Sequence, residues 1–268
     1  MSVNRKLRWE QKCIFCILPG FLGTAVFALI PFFRMIYYAF VRSQFRREFV
    51  FFRNFIRVWE NDYFRLALKN SIFLLLRDVP VLMLTAVTLS ILLHFFFKKD
   101  AWVKAAFILP MVIPTAGIVP VWKTIFGDLT GTLPVDLLFL WKNIGICMIL
   151  MTAALEKIPD SVYDAAKTDG AGFIKTQLFI TIPMTAPALF FGTLLSVMNS
   201  YKIFKESFLY YGTSYPPDYA YTLQYYMNNH FLKLDYQSLA ASSIYNTLLS
   251  LLLILTGLRL TKKFQYTE

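Results

Sequence analysis

Residues 157–172 read KIPDSVYDAAKTDGAG, a polar stretch that stands between two long apolar runs. Pro159 is compatible with a first helical turn, the aspartates after it favour the positive end of a helix, and Gly170 offers a stop where a positive φ is easily adopted. We therefore predict that residues 158–175 form a short surface helix, a turn at Gly170 and a second short helix that leads into the next apolar run.

The apolar runs on either side, and others along the chain, are long enough to cross a bilayer, which takes about 20 predominantly apolar residues. We expect helices at about residues 13–40, 66–97, 103–126, 137–156, 176–205 and 236–260. The sequence thus predicts an all-α membrane protein, a single transmembrane domain over residues 1–268 with six membrane-spanning helices. An even number of spans places both termini on the same side of the membrane.

The composition fits a chain that faces lipid. Charged residues make up 16% of the chain, hydrophobic residues 57%, and the mean hydropathy is +0.53, whereas soluble proteins carry about 25% charged residues. The first apolar run is longer than that of a cleaved signal peptide, so we expect it to be retained. Cys13, Cys16 and Cys147 all lie in apolar runs, which favours small apolar fillers over a metal site or a disulfide.

Basic residues near the helix ends indicate the orientation. With both termini in the cytoplasm, most basic loop residues lie inside, but the first outer loop violates the rule because it is rich in arginine. The inner set is Arg5, Lys6, Arg8, Lys12, Lys98, Lys99, Lys104, Lys157, Lys167, Lys175, Arg259, Lys262 and Lys263, and the outer set is Arg42, Arg46, Arg47, Arg53, Arg57 and Arg65. Basic residues do not alternate with exposed aromatics in a polar stretch, so we expect no nucleic acid partner.

Prolines concentrate in two of the predicted spans. Pro110, Pro114 and Pro120 fall in the third, and Pro183 and Pro187 begin the fifth. Proline removes a helix hydrogen bond and kinks the backbone, although prolines are also simply common in membrane helices. The pattern predicts a kinked bundle that suits a path that opens and closes.

The polar segment carries a specific resemblance. Asp164-Ala165-Ala166, then Asp169-Gly170-Ala171, then Ile182-Pro183 resemble the EAA signature of ABC importer permeases, and the extended form resembles the carbohydrate branch, the maltose F-type and glycerol-phosphate A-type family. Asp164 departs from the family's usual glutamate and shortens the carboxylate by one methylene.

The resemblance extends over nearly the whole chain. Ile17-Leu18-Pro19-Gly20 is similar to the opening of F-type permeases, and Leu109-Pro110 with Ile113-Pro114 resembles their third core helix. Ser200-Tyr201-Lys202-Ile203-Phe204 is closer to the F-type than to its G-type partner. These similarities imply the type I ABC importer permease fold in a bacterial cytoplasmic membrane.

The resemblance also implies partners. A second, G-type permease would complete a heterodimer, an extracytoplasmic solute-binding protein would deliver a sugar-like solute, and separate ATP-binding subunits would bind ATP and magnesium. This chain has no phosphate-binding loop, so no cofactor is expected in it. The segment Asp160 to Lys175 would be a cytoplasmic coupling helix that docks on the ATPase, with the two small alanines on an exposed face. The residues implied in coupling are Asp160, Tyr163, Asp164, Ala165, Ala166, Asp169, Gly170 and Ala171.

The family's sugar contacts map to the helices that flank this segment. The implied solute-path residues are Asn143, Ile146, Ser196, Asn199, Ser200 and Tyr201. Hydroxyls, amides and an aromatic ring are what a sugar requires of its site. The plainer alternative is that these serines and asparagines join helices to one another.

Two other functions stay open on the sequence. A secondary transporter would have to explain the polar segment without an ATPase, and such transporters usually carry an internal repeat. An intramembrane hydrolase would need a nucleophile and a base at one depth, whereas His94 is expected at an inner helix end and His230 in an outer loop. Arg77 and Asp78 lie within the second span, where ionisable residues indicate a functional site by default. Because we expect them toward its outer end, where such side chains reach the interface or pair with a neighbour, we favour a structural anchor.

Overall fold

The computed structural model describes residues 15–43, 45, 48–96 and 101–265. Within these residues the chain is almost entirely helical, with one isolated antiparallel bridge between Val41 and Phe49. The helices are α1 Phe15–Phe40, α2 Arg53–Trp59, α3 Asp62–Phe96, α4 Ala101–Val112, α5 Thr115–Phe126, α6 Leu133–Leu155, α7 Asp160–Thr168, α8 Phe173–Met184, α9 Ala186–Lys202, α10 Phe204–Tyr211, α11 Leu223–Leu232 and α12 Tyr236–Gln265. Predicted features at Arg5, Lys6, Arg8, Lys12, Cys13, Arg46, Arg47, Lys98 and Lys99 lie outside the described residues.

Four helices are each long and apolar enough to cross a membrane, namely α1, α3, α6 and α12, and two bent helix pairs bring the described residues to as many as six spans. Two spans begin four residues before the predicted positions 66 and 137, at Asp62 and Leu133. Both extensions contain charged residues, which a search for uncharged runs leaves out. For Asp136 the helix tolerates the charge because Arg77 pairs with it.

The third predicted span is broken where a single helix was expected. Helices α4 and α5 meet at an angle of 106°, and Pro114 between them is extended, with ψ at 135°. Proline donates no hydrogen bond and disfavours the helical conformation of the residue before it. Pro110 and Pro120 lie inside α4 and α5 without ending them.

The fifth predicted span is also bent, by 73° between α8 and α9. Its first part contains a π-helical turn, Gln177–Thr181. At the bend the carbonyl oxygen of Thr181 accepts from both the amide of Thr185 at 3.0 Å and its hydroxyl at 2.9 Å, so a side-chain bond reinforces the backbone bond near two prolines. Threonine hydroxyls of this kind help membrane helices to accommodate prolines and bends.

Helices α2 and α11 fall where the sequence indicated only outer loops. The described residues divide into two compact units, one formed by the chain up to Asp62 with Met227–Tyr245, and the other by Tyr63–Tyr226 with the chain from Asn246 onward.

In the first unit, buried polar side chains fix the connections. The Asn54 amide donates to the carbonyl oxygens of Ala39 at 3.0 Å and Val41 at 2.8 Å. Asp235 lies 3.1 Å from His230 and accepts from the amide of Ser238 at 3.1 Å, at the start of α12. Burial alone would raise the pKa of Asp235, but these hydrogen bonds hold it well below its ordinary value.

In the second unit, α3, α6 and α9 share one apolar core that includes Leu82, Leu138 and Phe139. Helices α4 and α6 approach so closely that a Cβ on Gly145 would collide with the backbone of Phe107. A glycine is required at that point because no side-chain movement could relieve a clash with backbone atoms.

A charged cluster joins α3 to α6 in the same unit. Arg77 bonds to Asp78 at 2.7 Å and to Asp136, which also accepts from Thr132 at 2.7 Å. Both carboxylates are buried. These contacts are those of a structural anchor between two spans.

Candidate functional site

Helix α7 is the surface helix between the fourth and fifth predicted spans, and backbone chemistry sets both its ends. Pro159 precedes it in an extended conformation. At its other end Gly170 has φ +74°, its amide donates to the Lys167 carbonyl at 3.0 Å, and the Ala171 amide donates to the Ala166 carbonyl at 2.9 Å. These two bonds form a Schellman motif, whose left-handed position favours glycine.

One face of α7 is buried against the helices before and after it. Tyr163 packs edge-on against Phe95 of α3 with ring centroids 5.3 Å apart, and it shares an apolar cluster with Met151 and Leu155 of α6. Its hydroxyl accepts from Thr181 of α8 at 3.4 Å. A displacement of α7 therefore acts directly on α3, α6 and α8.

The opposite face of α7 is polar and exposed. Asp160, Asp164 and Ala165 lie on it, and Asp169 and Gly170 are exposed just beyond it, while Ala171 is half-buried. Ala166 is buried, so only one of the two alanines expected on the exposed face lies there. Helical geometry explains the difference, because Ala166 follows Tyr163 by three residues and shares its side. The exposed face suits contact with another protein.

A cavity of about 240 Å³ opens between α6 and the junction of α9 with α10. Asn143 and Asn199 both line it, so two of the predicted solute-path residues meet there. The Asn143 amide donates to the Phe139 carbonyl at 2.8 Å, and the Asn199 carbonyl oxygen accepts from Lys202 at 3.1 Å.

The other four predicted solute-path residues do not line this cavity. Ser196 is buried and donates to the Gly192 carbonyl at 2.7 Å, and Ser200 is buried and donates to the Val197 carbonyl at 2.6 Å. Ile146 packs against the apolar core. Tyr201 hydrogen-bonds Ser250 at 2.8 Å. In this conformation the hydroxyls of Ser196, Ser200 and Tyr201 bond within and between helices.

Three charged residues at the cavity were not among the predicted solute-path residues. Lys142 and Glu206 form an ion pair of 2.8 Å with side chains only 14% and 12% exposed, and Lys202 lies beside them. The sequence did contain one indication of them, because Lys142 lies inside the predicted fourth span. An ionisable residue at membrane depth indicates a functional site by default. Across the described residues, no group of three or more His, Cys, Asp or Glu could hold a metal ion.

The comparisons with known proteins agree with one another. Residues 86–265 match the family described as binding-protein-dependent transport system inner membrane component. The lactose transport system permease protein LacF of Rhizobium radiobacter is 27% identical over 202 residues, 66% of this chain and 68% of that protein. The sulfoquinovosyl glycerol transport system permease protein SmoG of Agrobacterium fabrum is 22% identical over 275 residues, 90% of this chain and 89% of that protein.

The fold has a solved counterpart. A chain in the crystal structure of a bacterial ABC transporter involved in the import of the acidic polysaccharide alginate superposes with a TM-score of 0.73 at 18% sequence identity, covering 98% of this chain and 99% of that one. This likeness shows the type I permease fold that the sequence predicted. Because the family match spans more than half of the chain, the protein belongs to the binding-protein-dependent transport system inner membrane components, the permease subunits of ABC importers, and is a transport subunit rather than an ATPase.

Proposed function

We propose that this chain is the F-type permease subunit of an ATP-driven importer that moves a sugar or sugar-like solute across a bacterial cytoplasmic membrane by alternating access. The observation that carries the proposal is α7, a capped surface helix between two spans with one face buried and one exposed. The relatives named for lactose and for sulfoquinovosyl glycerol transport support the sugar class.

In this proposal α7 docks on the ATPase through its exposed face, with both termini of the chain in the cytoplasm. Asp160, Asp164 and Ala165 would contact the ATP-binding subunit, and Tyr163 would carry its movement to Phe95 of α3. ATP and magnesium would be bound by those partner subunits, and this chain would hold no cofactor. The remaining predicted coupling residues, Ala166, Asp169, Gly170 and Ala171, would fix the helix and its turn.

A G-type permease and an extracytoplasmic binding protein complete the proposed assembly. Large apolar side chains of α1, among them Phe27 and Phe33, are exposed, as required of a helix that faces lipid or a second permease. We place the solute against Asn143 and Asn199 at the 240 Å³ cavity. The other predicted residues, Ile146, Ser196, Ser200 and Tyr201, would support that face from behind.

The test is uptake by the reconstituted importer. The chain is assembled in liposomes with its partner permease, ATP-binding subunits and binding protein, and labelled lactose, arabino-oligosaccharides, sulfoquinovosyl glycerol and alginate oligosaccharides are supplied outside. We expect uptake of at least one sugar that requires both ATP and the binding protein. The purified chain alone should hydrolyse no ATP because it lacks a phosphate-binding loop. Uptake that runs on an ion gradient without ATP would instead identify a secondary transporter.

A further inference from the structure

The Lys142–Glu206 ion pair holds three chain segments together at the wall of the cavity. Lys142 lies in α6 and Glu206 in α10, and Thr115 at the start of α5 donates to Glu206 at 2.8 Å and accepts from Lys142 at 3.1 Å. The pair lines the same cavity as Asn143 and Asn199. It therefore combines charge, enclosure and access to the space proposed for the solute.

The pair still has hydrogen-bonding capacity to offer. An ammonium group has three donors, and Lys142 uses two of them on Thr115 and Glu206. Among the described residues, Glu206 accepts its hydrogen bonds through Oε1, which leaves Oε2 for another donor. One charged donor and one charged acceptor thus stand side by side.

A pair of neighbouring sugar hydroxyls matches that arrangement. One hydroxyl donates to the carboxylate while the next accepts from the ammonium, and hydrogen bonds to charged groups are stronger than those between neutral groups. The Asn143 carbonyl oxygen and the Asn199 amide, each with remaining bonding capacity, extend the polar wall. The cavity volume of about 240 Å³ is somewhat smaller than the pockets of roughly 300–1,000 Å³ that hold drug-sized ligands. It therefore suits about one sugar ring at a time.

We propose that Lys142 and Glu206 bind two adjacent hydroxyls of the transported sugar and select solutes that carry such a diol. The inference rests on the proposed function, since it names the chemical group that the importer recognises. A role confined to stability would not explain why this ion pair lies at the wall of a cavity. Buried ion pairs are often replaceable by apolar residues without loss of stability, and here the pair lines a cavity and keeps free bonding capacity.

A charge swap separates recognition from stability. Lys142→Glu or Glu206→Lys alone places two like charges together and should reduce assembly of the complex. The double variant Lys142→Glu/Glu206→Lys restores an ion pair but exchanges the donor and the acceptor. We expect the double variant to recover complex assembly and thermal stability, yet to import the sugar at least about tenfold more slowly, because its bonds to the two hydroxyls are mismatched. The matched control is the same swap of the exposed pair Arg42–Glu48, which should leave uptake unchanged.

A second variant keeps the inference testable if the swap does not assemble. Glu206→Gln removes the charge at nearly constant size, so it should raise the KM for uptake and weaken the preference for the sugar over its analogue lacking one hydroxyl of the diol. The probe is whichever labelled sugar the wild-type importer takes up fastest. Full uptake by the double swap, or an unchanged preference in Glu206→Gln, would overturn the inference, whereas failure of the wild type to import any sugar would overturn the proposed function instead.

Discussion

Replacing Gly170 by valine should uncouple transport from ATP hydrolysis without unfolding the chain. Gly170 has φ +74°, and a Cβ there would meet no atom within 4 Å, so the penalty comes from the backbone alone. The left-handed conformation costs a residue with a side chain about 1–2 kcal/mol. For a β-branched residue such as valine we expect a cost at the upper end of that range. If the turn relaxes, two hydrogen bonds of the Schellman motif are lost at about 0.5–1.5 kcal/mol each. A penalty of this size is enough to change the direction of the chain at the end of α7, but it leaves the membrane-spanning helices folded.

The measurement is solute imported per ATP hydrolysed in reconstituted vesicles, with membrane insertion followed in parallel. Gly172→Val is the matched control, because Gly172 has φ −70° and a Cβ there also meets nothing within 4 Å. We expect normal insertion of both variants and a lower transport ratio only for Gly170→Val. Gly170→Asn should be milder, since asparagine tolerates the left-handed region. Equal coupling in both valine variants would refute the role given to this turn.

Three further predictions concern stability. Arg77→Met leaves two buried carboxylates without their cation and should destabilise the chain by about 3–5 kcal/mol, read as a lower thermal unfolding midpoint in detergent; a midpoint equal to wild type would contradict the anchor. Gly145→Ala should impair folding because its Cβ would strike the backbone of α4, whereas Gly20→Ala, with open space around it, should not; comparable yields of both would show that α4 and α6 can separate. Asp235 has a lowered pKa in the folded state. The stability that its carboxylate contributes to the fold is therefore complete above the unfolded pKa of about 3.9 and is lost as pH falls toward the folded pKa. Amide exchange at the start of α12 should therefore be slower in wild type than in Asp235→Asn above about pH 4, with the difference shrinking in acid, and a constant difference would exclude this linkage.

Local chemistry explains what the sequence predicted well. Helix α7 and its stop at Gly170 follow from a proline, first-turn aspartates and a glycine close together in the chain. The spans follow from apolar length. By contrast, the sharp break falls at Pro114, while Pro110 and Pro120 are tolerated inside helices. Which of three prolines breaks a helix depends on the packing around it, and that is not a local property.

The residues that line the cavity were predicted less well. They depend on which face each helix turns toward the cavity and on ion pairs between residues far apart in the sequence. Each residue turns the helix by about 100°, so Asn199 lines the cavity while Ser196 and Ser200 face neighbouring helices. The partner of Lys142 is 64 residues away in the sequence. Helices α2 and α11 were missed because they are short and mix polar with apolar residues, a pattern that apolar length does not detect.

Because α7 has one buried and one exposed face, its positions differ in how well they tolerate substitution. Tyr163 and Ala166 are committed to the interior, so substitutions there disturb the spans. Asp164 and Ala165 are exposed, and the Asp164 carboxylate pairs only weakly with Lys167 of the same helix, at 3.5 Å. Their identities can change without repacking anything beneath them. If the exposed face binds the ATP-binding subunit as we propose, these few exchangeable surface positions would determine which ATP-binding subunit the permease accepts. Grafting that face from another permease would then allow this chain to work with the other importer's ATP-binding subunit.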